Sequence, residues 1–176
     1  KKRKKNMREM NLAEAKIGQL LVVSIPGPEN YSYIGHLEDT PRRCYGNPAL
    51  YKATLSQTHP NSEIRGFGAT WDGIFEPWWQ PGEAKSRLSI SLETRVKVLN
   101  DDPNYPLHPI DELLDHTMIG DIVTLAGNFT TATGVVYRIG DGNIGLATRT
   151  QAEFSRYARH VNTRHFRNFR VYKDIL

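Results

Sequence analysis

Hydrophobic and polar residues alternate most strictly over residues 87–98. Leu88, Ile90, Leu92, Thr94, Val96 and Val98 fall on one face, and Arg87, Ser89, Ser91, Glu93, Arg95 and Lys97 on the other. A period of two over this span predicts one long strand with a single face on a core. At about 3.3 Å per residue it would run roughly 40 Å, a length typical of barrels and sandwiches. Residues 19–25 (QLLVVSI) read as a buried strand stopped by Pro26-Gly27-Pro28, and residues 31–37 and 50–55 as further strands. Residues 39–48 read as a turn-rich loop between them. Residues 121–125, 134–139 and 143–147 predict three short strands, with turns at 130–133 and 140–142. Phe169 and Val171 alternate with Arg170 and Tyr172, which suits a last strand.

Helical signals are fewer. A short helix is expected to open near Asn11, with Glu14 three residues on, and to close at Gly18. A second is expected over 110–118, with Ile110, Leu113, Leu114 and Met118 inward and Gly120 as terminator. A third follows from Thr150-Gln151-Ala152-Glu153, which has capping-box spacing. Phe154, Ala158 and Val161 then recur at helical spacing, and Asn162 suits a left-handed stop. Residues 66–82 hold Trp71, Trp78 and Trp79 among glycines and prolines, a composition that argues against long regular structure. No internal repeat is visible. The pattern predicts an α+β, β-rich fold: an antiparallel barrel or sandwich with two or three short helices. It divides into a basic arm over 1–10 and a single globular domain over 11–176.

Composition places the chain among globular proteins: 176 residues, 39% hydrophobic and 24% charged. The net charge is only +4, so its distribution carries more than its size. Lys1, Lys2, Arg3, Lys4 and Lys5 form a basic arm. Between Val98 and Tyr137 there is no Lys or Arg, while Asp101, Asp102, Asp111, Glu112, Asp115 and Asp121 lie there. Basic ends around an acidic middle suit an anionic partner on one side, or copies of the chain packing head to tail. Cys44 is the only cysteine, which excludes an intramolecular disulfide and a cysteine zinc cage. No apolar run reaches the length of a membrane span and no signal-peptide core opens the chain. The expectation is an intracellular, reducing setting (cytoplasmic, nuclear or virion-associated) with no membrane partner.

The densest chemistry lies over residues 149–173. Arg149, Arg156, Arg159, Arg164, Arg167, Arg170 and Lys173 are interleaved there with Phe154, Tyr157, Phe166, Phe169 and Tyr172. Guanidinium forks match phosphate oxygens and aromatic faces stack on bases. The candidate contacts for nucleic acid are therefore Arg156, Arg159, Arg164, Arg167 and Arg170, with Phe166 and Tyr172 as stacking groups and the arm from Lys1 to Lys5 as support. A solvated basic helix followed by a strand with core aromatics accounts for the same residues.

Catalytic signals are sparser. Asp111 and Asp115 stand four apart, as do Glu112 and His116, so each pair shares a helix face and suits a divalent cation. Asp72 and Glu76 beside the tryptophans form a second carboxylate pair. Cys44 follows Arg42 and Arg43, but no particular histidine pairs with it. There is no phosphate-binding glycine loop, and no cofactor is expected.

Two stretches carry a likeness to known families. Residues 31–52, YSYIGHLEDTPRRCYGNPALYK, resemble the opening strands of single-stranded-DNA-binding proteins from short-tailed phages. That resemblance implies an oligonucleotide-binding barrel and an acidic C-terminal tail, whereas this C-terminus is basic. Residues 162–176, NTRHFRNFRVYKDIL, resemble a late strand region in the coats of small circular-DNA viruses, which continue with further strands. The leading expectation is a non-enzymatic nucleic-acid-binding β-barrel or sandwich. The alternative is a structural subunit of a larger assembly, such as a viral coat. A third reading is a metal-dependent phosphodiesterase using Asp111, Asp115 and His116. It requires the acidic helix and the arginines to share one cleft, and the expectation is that they lie apart.

Overall fold

The computed structural model describes residues 8–25, 31–59, 85–99, 105–127, 131–150 and 158–176. The arm from Lys1 to Lys5, the tryptophan-rich stretch with Asp72 and Glu76, and residues 151–157 with Phe154 and Arg156 lie outside them.

Branched and aromatic runs become strands throughout. The described strands are β1 (Arg8–Asn11), β2 (Leu20–Ser24), β3 (Ser32–Leu37), β4 (Arg42–Cys44), β5 (Asn47–Ser56), β6 (Lys85–Ile90), β7 (Arg95–Val98), β8 (His108–Pro109), β9 (Ile122–Ala126), β10 (Thr131–Gly140), β11 (Asn143–Ala147), β12 (Ala158–Asn162) and β13 (Asn168–Tyr172). All pairings are antiparallel. One sheet runs β1-β7-β2-β3-β5-β4, with β6 also on β5; the other runs β12-β11-β10-β9-β13-β8. Both curl. The β-rich class holds, but the helical content is smaller than expected. Among the described residues there is one α-helix, α1 (Leu113–His116), and three 3-10 turns, at Leu12–Glu14, Ile110–Glu112 and Thr163–His165. No described helix is long and apolar enough to cross a membrane.

Each curled sheet encloses its own core, and the two share a third. Leu21, Val23, Leu37, Leu55, Leu88, Val96 and Val98 line the first. Val123, Leu125, Ile144, Leu146, Phe166, Phe169 and Val171 line the second. The intervening residues of the same strands point the other way: Leu20, Val22 and Ile34 from one sheet meet Ile122, Val135 and Tyr172 from the other. That explains why residues 20–23 read as a continuous apolar run, since β2 is buried on both faces. Burying each such Leu or Ile is worth about 1.5–3 kcal/mol over leaving it exposed.

The two halves exchange strand ends. Beyond β11 the chain crosses to β3, where Ile34 N donates to Thr148 O at 2.9 Å. Beyond β5 it crosses to β10, where Thr133 N donates to Gln57 O at 2.9 Å. A glycine sits beneath each crossing. A Cβ on Gly35 would lie 2.9 Å from Leu55 Cβ and 3.0 Å from Ser56 N; one on Gly134 would lie 2.6 Å from Ala147 O and 3.1 Å from Leu146 Cβ. So β2-β3-β5 and β9-β10-β11 repeat the same arrangement, although no repeat is visible in the residues.

Several sequence expectations are corrected. The strand expected over 87–98 is two, β6 and β7, because Ser91 makes a turn: its Oγ accepts from Glu93 N at 3.0 Å and its carbonyl from Thr94 N at 3.1 Å. The alternation survived because both strands line one core. The helix expected through Ala158 and Val161 is instead strand over its described part: β12 pairs with β11 from Asn143↔Asn162 to Ala147↔Ala158. Asn162 is extended, and its side chain accepts from Arg164 N to cap the following 3-10 turn. The helix expected over 110–118 shrinks to a 3-10 turn and α1; Leu113 is buried, but Leu114 and Met118 are exposed. The helix expected at Asn11 is a single 3-10 turn without a side-chain cap. The loop expected over 39–48 contains β4 and the start of β5. Residues 8–10, assigned to the arm, belong to β1 and pair with β7.

Candidate functional site

The basic C-terminal third winds around one end of the second sheet. β12 forms its edge, the 3-10 turn at Thr163–His165 leaves it, and β13 returns beside β9. The turn is tied at both ends: Thr163 N donates to Gly142 O at 3.0 Å, and Arg167 N to Ala126 O at 2.8 Å. Residues 158–173 contain no Asp or Glu. Arg164 and Arg167 are exposed and Arg159 is half-exposed. No ion pair engages Arg164 or Arg167 among the described residues.

The other expected contacts fare differently. Phe166 and Tyr172 are only 6% and 3% exposed, so neither offers a face to a base. Phe166 packs in the second core, and Tyr172 sits in the shared core edge-on to Tyr105, at 5.1 Å between ring centroids. Strand parity misplaces Tyr172: with Val171 pointing into the sheet's own core, the opposite face was expected in solvent, but the first sheet covers it. Arg170 is half-exposed and donates from Nε to the Tyr105 carbonyl, so part of its guanidinium is already used. Arg156 and the arm are outside the described residues.

The acidic helix does not lie apart from all the arginines. β8 pairs with β13 through Asn168↔Pro109 and Phe169↔His108, and Ile110 N donates to Arg167 O at 2.8 Å. Arg159, on β12, is at the other edge of the same sheet. The groups that converge here are not the expected Asp111 and Asp115, which are exposed. They are His108, Glu112 and His116, whose ligand atoms all lie within 4.8 Å of one another. Glu112 Oε1 is 3.3 Å from His116 Nε2 and 3.9 Å from His108 Nδ1. The two imidazoles stack at 4.0 Å between centroids, with Phe169 behind His108 at 5.2 Å. His108 was missed because Pro109 ends any helix reading before it, yet the spacing of 108, 112 and 116 was a usable signal.

Between the sheets runs a polar seam. His36 is buried, and burial pulls its pKa from 6.5 down to about 4, against the opposing effect of its bond to Gly18 and with help from nearby His59. Its Nδ1 lies 3.0 Å from Gly18 O and its Nε2 3.1 Å from Thr133 Oγ1. A carbonyl only accepts, so Nδ1 carries the proton and Nε2 accepts from Thr133, which accepts in turn from Thr124 Oγ1 at 3.1 Å. Ser86 Oγ and Thr148 Oγ1 meet at 2.8 Å farther along. This is a satisfied structural network in which His36 is only 3% exposed.

At Cys44, the flanking arginines are engaged elsewhere: Arg42 pairs with Asp39 at 3.2 Å, and Arg43 lies over the Tyr51 ring at 5.9 Å. The same hairpin carries Tyr45 fully exposed. No protein-family model matches the chain, and no curated protein matches it in sequence.

Proposed function

We propose that this chain is a non-enzymatic nucleic-acid-binding protein that holds phosphates through the β12–β13 end of its second sheet. The observation that carries the reading is the exposure of Arg164 and Arg167, with half-exposed Arg159, on a run without a carboxylate. The guanidinium groups of Arg164 and Arg167, exposed and without an ion pair among the described residues, are available to a phosphate fork. Aromatic stacking by Phe166 and Tyr172 drops out of the proposal. Arg156 and the arm from Lys1 to Lys5 remain as further phosphate contacts.

Titrating the chain into labelled single- and double-stranded oligonucleotides at several salt concentrations tests this. With about five phosphates neutralised, log K falls against log salt with a slope near −3.5 to −4.5. Arg164→Ala and Arg167→Ala each reduce that slope by about one unit. Absence of binding at low salt sinks the reading. The alternative, a subunit of a larger assembly, draws support from Leu107, Leu114, Met118 and Ile119, all exposed near α1. Sedimentation of the same samples with and without nucleic acid separates the two, since a binding module alone stays monomeric.

A further inference from the structure

We infer that His108, Glu112 and His116 form a binding site for a divalent transition-metal ion of the zinc class. The proposal is independent of nucleic-acid binding and rests on geometry. Three lone-pair donors from three consecutive local elements (β8, the 3-10 turn and α1) converge on one spot, spaced four residues apart along the chain. Both imidazoles approach the same carboxylate oxygen, Glu112 Oε1. The two rings stack at 4.0 Å between centroids, which holds their nitrogens on one side of the carboxylate. A single cation bound by the neutral rings and the carboxylate satisfies all three groups at once.

The ligand set decides the class of metal. Two imidazoles and one carboxylate suit Zn(II), Co(II) or Ni(II), whereas Mg(II) and Ca(II) prefer oxygen throughout. Metal–ligand distances of about 2.0–2.2 Å place donor atoms roughly 3–3.5 Å apart, so the observed cluster closes by small side-chain rotations. Phe169 and the β8–β13 pairing fix His108, while Glu112 and His116 have the freedom to adjust: their side chains are 46% and 41% exposed, against 24% for His108. Three protein ligands leave coordination positions open to water or an anion, unlike a closed four-ligand structural site. The backbone of Arg167 runs alongside through its bond with Ile110.

Cobalt(II) titration of the tag-free chain, followed by visible absorption and by zinc displacement, tests the proposal. The expected result is one equivalent bound with a spectrum characteristic of nitrogen and oxygen ligands, displaced by zinc and unaffected by excess magnesium. His116→Ala and Glu112→Gln change exposed side chains, so the fold persists, and each weakens cobalt binding at least tenfold. His108→Phe preserves the packing on Phe169 and has the same effect. No saturable cobalt binding in the unmodified chain overturns the proposal. So does equal affinity in the His116→Ala and His108→Phe variants, which moves the ion to other histidines.

Discussion

His36 shows how one residue can set the pH response of the protein. Burial holds it neutral in the folded state with a pKa of about 4, while an unfolded histidine titrates near 6.5. Between these values the unfolded state binds more protons, so stability rises with pH across that window. The contribution is complete above about pH 6.5 and is lost as pH falls through about 4, at a cost of about 3 kcal/mol. Urea unfolding from pH 7 down to pH 4 should therefore show a falling midpoint. His36→Gln, which keeps polar atoms but does not titrate there, should flatten that decline even if it lowers stability throughout. A slope unchanged in His36→Gln would assign the pH dependence to other groups. Nothing in the residues around His36 announces this role. It sits in a strand, and the partners that define it, Gly18 and Thr133, are far away in the chain.

At the scale of elements, the sequence reports burial well and connectivity poorly. β2, β3, β9, β10 and β11 were legible because their apolar residues face a core. The span containing β6 and β7 was legible in its faces but not in its break, since the turn at Ser91 interrupts the strand without glycine or proline. β12 was read as a helix because Ala158 and Val161 fit that spacing. Pairing with β11 overrides local preference, as edge strands commonly do. The glycines under the crossings are the tightest points of these elements. Gly134→Ala would drive a Cβ to 2.6 Å from Ala147 O, a backbone atom that cannot swing aside. Gly35→Ala meets Leu55 and Ser56 in the same way. Each should cost about 1–3 kcal/mol, seen as a lower denaturation midpoint. Either variant as stable as the parent would show that the crossing has room to relax.

At the scale of the whole molecule, the candidate site was half legible. The basic run, the exposed Arg164 and Arg167 and the pair Glu112–His116 could all be read from the sequence. His108 carried a signal in its four-residue spacing to Glu112 and His116, masked by Pro109, whereas the burial of Phe166 and Tyr172 was not legible because it depends on which sheet lies behind the strand. The repeated arrangement was hidden for a related reason. Its two halves share the glycine under the crossing and a leucine in the strand above it, Gly35 with Leu55 and Gly134 with Leu146, and little else that a sequence comparison would register.

The exchanged strand ends also bear on how the protein could be divided. Cutting the chain between β7 and β8 separates the two curled sheets, yet each sheet then lacks hydrogen-bond partners supplied by the other. Ile34 loses Thr148, Thr133 loses Gln57, and Leu20, Val22, Ile122 and Val135 become exposed. Two polypeptides split there should each remain largely unfolded alone and regain β structure by circular dichroism when mixed, much as complementing enzyme fragments do. A stable fold from either fragment alone would mean that the exchange decorates two self-sufficient halves. Recovery only on mixing would make the crossing points a means of joining two chains on demand.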